Sequence, residues 1–175
     1  MKSFIESQFG YSPLTWMFHN RGMNHKINKV HERSLRFVYK NEILSFEELL
    51  ELDKSQKIHH RNIHSLALEM YKVKIGVASD IMNNIFIQRT NTNSAITRSM
   101  DSNEFHIPQV NTVHYGHDSL RYFGPKIWAI VPEEIKSSGN VSKFKNAIKT
   151  WVPDQCPCRI CADYIAGVGY VNIYE

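Results

Sequence analysis

Apolar and polar positions in residues 24–40 (NHKINKVHERSLRFVYK) alternate with the three-and-four rhythm of an amphipathic helix. Ile27, Val30, Leu35, Phe37 and Val38 fall on one broad arc. Lys26, Lys29, Arg33, Arg36 and Lys40 recur on the other and form a continuous cationic stripe. Only Glu32 offsets that stripe, so the pattern predicts one face for a core and another that meets something anionic. A plain solubilising face is the competing reading.

The same rhythm organises the chain on either side. Ser45-Phe46-Glu47-Glu48 is a capping-box pattern that starts a short helix ending near Leu52. Ser55 opens a longer pattern to Lys74, with Ile63, Leu66, Met70 and Val73 as its apolar seam and Gly76 as its stop. Ser79 and Asp80 cap a further segment over 81–86. Residues 23–86 therefore predict helices joined by short turns, a compact bundle. Ahead of them, Phe4, Phe9, Tyr11, Trp16 and Phe18 crowd an aromatic stretch interrupted by Gly10 and Pro13, with Pro13 placed to open a short helix through Trp16. Such an apolar surface calls for cover.

Periodicity vanishes in 89–103, which is dense in Asn, Thr and Ser and predicts a linker. Beyond it, 105–115 and 119–123 are extended candidates that predict a β-hairpin around Gly116. Gly124-Pro125 then opens a helix that buries Ile127, Trp128, Ile130 and Val131, and Pro132 restarts the chain ahead of Glu133 and Glu134. The last helix, 141–151, buries Phe144, Ala147, Ile148 and Trp151 and leaves Lys143, Lys145 and Lys149 outside. The expected fold class is mainly α (α+β): an N-terminal helical bundle over 1–88, a polar linker over 89–103, and a small subdomain over 104–175. That subdomain carries the hairpin, two or three helices and a Cys-rich tail.

Composition narrows the functional classes. A chain of 175 residues with 42% hydrophobic content can bury one core comfortably. The net charge of +4 permits a nucleic-acid partner without demanding one. No apolar run has the length of a signal peptide or a membrane span, so no membrane role and an intracellular site, nuclear or cytoplasmic, are expected. All three cysteines, Cys156, Cys158 and Cys161, lie in one short run, a poor disulfide framework that suits a reducing compartment.

Self-contained catalysis finds no support. The six aspartates are scattered and never adjacent, as a two-metal phosphoryl site would require, and the paired glutamates sit where helix starts favour acid. There is no phosphate-binding glycine loop and no nucleophile elbow. His60 and His64 have metal-binding spacing but lack a flanking acid, and His59, His114 and His117 carry no assigned chemistry. Cys156-Pro157-Cys158-Arg159-Ile160-Cys161 offers three soft ligands for a structural zinc, with no evident fourth; Asp163 is the nearest in sequence. Partly buried thiols in a tight turn are the alternative.

Seven segments together resemble the C-terminal region of reverse transcriptases from non-LTR (LINE-type, jockey-like) retrotransposons. They are YSPLTWMFHNR (11–21), INKVHERSLRFVY (27–39), SFEELLELDKS (45–55), IHHRNIHSLALEMYKVKIG (58–76), SLRYFGPKIWAIVPEEIK (119–136), FKNAIKTW (144–151) and CPCRIC (156–161), and they cover nearly the whole chain. The resemblance implies a thumb and post-thumb region that holds a template and primer duplex by its backbone, without the palm that carries the magnesium-binding aspartates. No catalytic residue transfers. Expected nucleic-acid contacts are Arg21, Lys26, Lys29, Arg33, Arg36 and Lys40, with Lys145 and Lys149 as a second patch. The expectation is thus a non-catalytic fragment of an RNA-directed DNA polymerase that binds RNA or DNA and works with a missing palm domain. From a different class, a stand-alone helical adaptor that docks on a protein through its aromatic N-terminus is the alternative.

Overall fold

The computed structural model describes residues 7–89, 104–112, 116, 118–153, 156–158, 160 and 161, together with the backbone of 163–165 and 169–171. The described chain is mainly helical, as the periodicity predicts. It divides into two compact units, Met1–Asn62 and Ile63–Glu175. The division falls inside α5 (Ile58–Lys74), whose backbone is one unbroken helix. The polar linker expected over 89–103 lies, apart from Arg89, outside the described residues.

In the first unit, α1 (Ser7–Gly10) and α2 (Pro13–Trp16) are single turns, with Pro13 at the start of α2 where its missing N–H costs nothing. Helix α3 (Arg21–Tyr39) begins at Asn20, whose side chain accepts from the Met23 N–H at 2.8 Å. It ends at Lys40 in the left-handed conformation, with the Asn41 N–H reaching back to the Arg36 carbonyl. Helix α4 (Phe46–Asp53) starts with the predicted capping box: the Ser45 hydroxyl accepts from the Glu48 N–H at 3.3 Å, and Glu48 Oε2 accepts from the Ser45 N–H at 2.7 Å. Leu35, Leu49 and Leu50 form the core between α3 and α4, flanked by Tyr39, Leu44 and Phe46.

One expectation about α3 is corrected here. Of the five apolar residues assigned to its buried arc, only Leu35 is buried; His31 and Ser34 complete the inner face. Val30 and Val38 are exposed, and Phe37 is 85% exposed. Val30 lies four residues after Lys26 and three before Arg33, and Phe37 four after Arg33 and three before Lys40, so both stand on the cationic side of the helix, away from Leu35 and α4.

In the second unit, α5 ends at Gly76, where φ is +73°, and the Val77 and Gly76 N–H groups bond the Lys72 and Val73 carbonyls. Helix α6 (Asp80–Ile85) follows. The chain then pairs 87–89 with 104–106 through the Gln88–Phe105 bridge. The core collects Leu66, Met70 and Tyr71 of α5 with Phe86 and Phe105. Phe123, Ile127 and Trp128 of α7 (Leu120–Ile130) and Phe144 and Ile148 of α9 (Val141–Ile148) complete it. Phe144 stacks on Tyr71 at 4.2 Å between centroids, and the Phe105 ring meets Trp128 edge-on at 5.7 Å. Between α7 and α9 lies the single turn α8 (Glu133–Lys136), with both glutamates in its first turn as expected.

Three further expectations change. The hairpin around Gly116 is absent among the described residues: Phe105 makes only an isolated bridge, 106–110 has no strand pairing, and Ser119 caps a helix rather than opening a strand, its hydroxyl accepting from the Tyr122 N–H. Val113, His114, Tyr115 and His117 lie outside the described residues. A short antiparallel pair, β1 (Asp163–Ile165) with β2 (Gly169–Val171), occurs instead at the C-terminal end. Nor do Gly124 and Pro125 open α7; they sit within it. Gly124 is there for close approach, because a Cβ at that position would lie 2.4 Å from the Phe86 ring and 2.9 Å from the Met70 sulfur. Finally, α9 stops at Ile148 rather than running to Trp151.

Candidate functional site

Helix α3 sets out its cations in one exposed row. Arg21, Lys26, Lys29, Arg33 and Lys40 are all exposed, and from Lys26 to Lys40 the row runs about 21 Å at the rise of an α-helix. Among the described residues no carboxylate pairs with Lys26, Lys29, Arg33 or Lys40. Arg36 differs from its neighbours. Its Nη2 lies 2.7 Å from Glu32 Oε1, its Nε donates to the same oxygen at 3.1 Å, and its Nη1 donates to the Glu42 carbonyl at 2.7 Å. The one acidic residue of the stripe is thus spent on one cation, and that cation clips the turn after α3 into place. Asn41 holds the same turn, its Oδ1 accepting from the Ile43 and Leu44 N–H groups at 2.9 Å each. Lys145 and Lys149, the second expected patch, are exposed on and just after α9.

A second constellation is built on the first turn of α5. A nitrogen of the His59 ring and the Sγ atoms of Cys156, Cys158 and Cys161 all lie within 4.8 Å of one another. These four residues form a group that could hold a metal ion. His59 and Cys156 are buried, and Cys158 and Cys161 are half-buried. Two tight turns bring the thiols round: the Cys156 N–H bonds the Pro153 carbonyl at 3.2 Å, and the Cys161 N–H bonds the Cys158 carbonyl at 3.1 Å. All three cysteines are free of disulfides. The Cys156 thiol is pushed far above its ordinary range, first by hydrogen bonds with Cys158 and Cys161 and then by burial. Burial and the two neighbouring thiols thus disfavour the Cys156 thiolate, and a cation bound beside it would favour that form.

The donor set fits zinc. Bonds of about 2.3 Å to sulfur place the corners of a zinc tetrahedron roughly 3.8 Å apart, a modest contraction of the observed cluster. Three thiolates and one imidazole also form one of the closed structural sets.

Sequence reasoning found the cysteines and missed the histidine. His59 carried no assigned role, while His60 and His64, one turn apart, carried the metal spacing; among the described residues neither belongs to a group of three or more ligands. His64 instead turns inward, its ring nitrogen 2.8 Å from the Trp151 carbonyl, and burial holds its pKa below the ordinary value against that bond. Asp163, the nearest carboxylate in sequence, is described by its backbone alone. The signal that could have found His59 is its place beside Ile58 at the buried start of α5; its nearness to the cysteines comes only from folding.

No protein family, curated protein or solved structure matches the chain. Among the described residues no helix is long and apolar enough to cross a membrane.

Proposed function

We propose that this chain is a non-catalytic, thumb-like part of a retrotransposon RNA-directed DNA polymerase that grips RNA or DNA by its backbone through the outer face of α3. The observation that carries the reading is the row of four exposed cations, Lys26, Lys29, Arg33 and Lys40, without a carboxylate partner among the described residues. A polyanion with closely spaced phosphates suits such a row. Binding would neutralise phosphates and release their counterions without reading sequence. Arg36, already clipped to Glu32 and Glu42, would shape the face more than it contacts the ligand. Lys145 and Lys149 offer a second, smaller contact. Polymer synthesis and its magnesium ions would belong to a palm domain with which this part works.

A structural zinc held by His59, Cys156, Cys158 and Cys161 completes the proposal. It would serve stability rather than chemistry.

Titration of a labelled duplex at several salt concentrations tests the function. The triple change Lys26→Ala, Lys29→Ala and Arg33→Ala should weaken binding and flatten the dependence of log affinity on log salt by about 2 to 3, near 0.9 for each phosphate no longer neutralised. Unchanged affinity and slope would reduce the row to a solvated face. The adaptor reading would then lead, with the 78%-exposed Tyr11 as its first docking candidate.

A further inference from the structure

A grip on phosphates alone has no use for a bare aromatic ring, yet the cationic face of α3 carries one. Phe37 is 85% exposed, and Ile43, in the turn that Arg36 and Asn41 hold, is 95% exposed. Phe37 and Val38 line an open groove with Arg33, Arg36, Lys40 and Glu42. Arg33 lies four residues before Phe37 and Lys40 three after it, the spacings that bring side chains together on a helix. The ring therefore has a cation one turn away on each side. Val30 and Met23, each about half exposed, continue the apolar flank at seven-residue steps beside the row.

We propose that this groove binds an unpaired nucleic-acid strand, with a base stacked on Phe37 and the adjoining phosphates on Arg33 and Lys40. The inference rests on the nucleic-acid reading of the same face and names its preferred substrate. Within a duplex both faces of each base are covered by its neighbours, so a protein ring has only base edges, sugars and phosphates to meet. An unpaired base presents an open π-face, and stacking on an aromatic side chain tolerates any sequence. The row of cations singles out a polyanion as the occupant, since an apolar partner segment would leave Lys26, Lys29, Arg33 and Lys40 unanswered.

Fluorescence anisotropy of the full chain, with a labelled single strand and a labelled hairpin duplex of equal length at one fixed salt concentration, tests this. The wild type should bind the single strand more tightly. Phe37→Ala should lose about ten-fold on the single strand and less than two-fold on the duplex, whereas Phe37→Trp keeps the preference. Because Phe37 is so exposed, circular dichroism should show both variants folded. Equal binding of the two forms, or equal losses on both in Phe37→Ala, overturns the strand preference and leaves the phosphate grip standing. Absence of binding to either form by the wild type removes both. Salt-insensitive self-association that disappears in Phe37→Ala assigns the groove to a second copy of the chain and overturns the inference.

Discussion

His59 shows how much a single residue's meaning depends on its neighbours in space. As a histidine near an apolar seam it signals nothing, yet its ring stands against three thiols that have no disulfide partners. These four donors could hold a metal ion, and three sulfurs with one imidazole are a set that closes a zinc tetrahedron. Protein purified under reducing conditions in zinc-containing buffer should hold one equivalent of zinc. His59→Ala and Cys156→Ser should each hold well below half an equivalent, while His60→Ala keeps the full amount; elemental analysis reads the result. A wild type with no zinc would leave the cluster as packed thiols.

At the scale of elements, the helices owe their limits to capping chemistry that acts locally. Asn20, Ser45, Ser119 and Asn140 each accept from an N–H of the first turn they precede. Ser45→Ala should cost about 1 kcal/mol, read as a lowered urea midpoint for α4 and the small Leu35, Leu49 and Leu50 core it supplies. Glu48 belongs to the same box, and the Ser45 N–H holds its carboxylate below the ordinary pKa. That contribution is present above the unfolded pKa of Glu and is lost as pH falls through the lower folded value. Such signals could be read from the chain because each cap needs only residues three positions apart. The full exposure of Phe37 could not, although its spacing from Arg33 and Lys40 already sets it on the cationic side. Only the packing of Leu35 on Leu49 and Leu50 fixes which side of α3 faces a core.

For the whole molecule, stability should depend on pH through a residue outside the candidate metal ligands. His64 is buried with its ring on the Trp151 carbonyl, and burial lowers its pKa from 6.5. In the unfolded chain His64 takes up a proton near 6.5, while in the folded chain it resists doing so. The stability this lends is therefore present above 6.5 and declines as pH falls toward the depressed folded value. Urea midpoints measured at about pH 7.5 and about pH 5.5 should show a drop in the wild type that shrinks in His64→Gln. Equal drops in the two proteins would place the acid sensitivity elsewhere. The second unit, in which His64 joins α5 to the segment after α9, is where this loss should be felt first.

Helix existence, most of the caps, the Gly76 stop and the row of cations were all present in the sequence. They depend on periodicity and on interactions a few residues long, which the order of residues dictates directly. Long-range proximity was not. The expected hairpin failed because the short apolar run over 119–123 suits a strand or a helix equally; in the fold Ser119 caps a helix there, and Gly124 within it lies close to Phe86 and Met70. The candidate fourth ligand stayed hidden for the same reason: His59 and the cysteines are far apart in the chain, and only folding brings their donor atoms within 4.8 Å of one another.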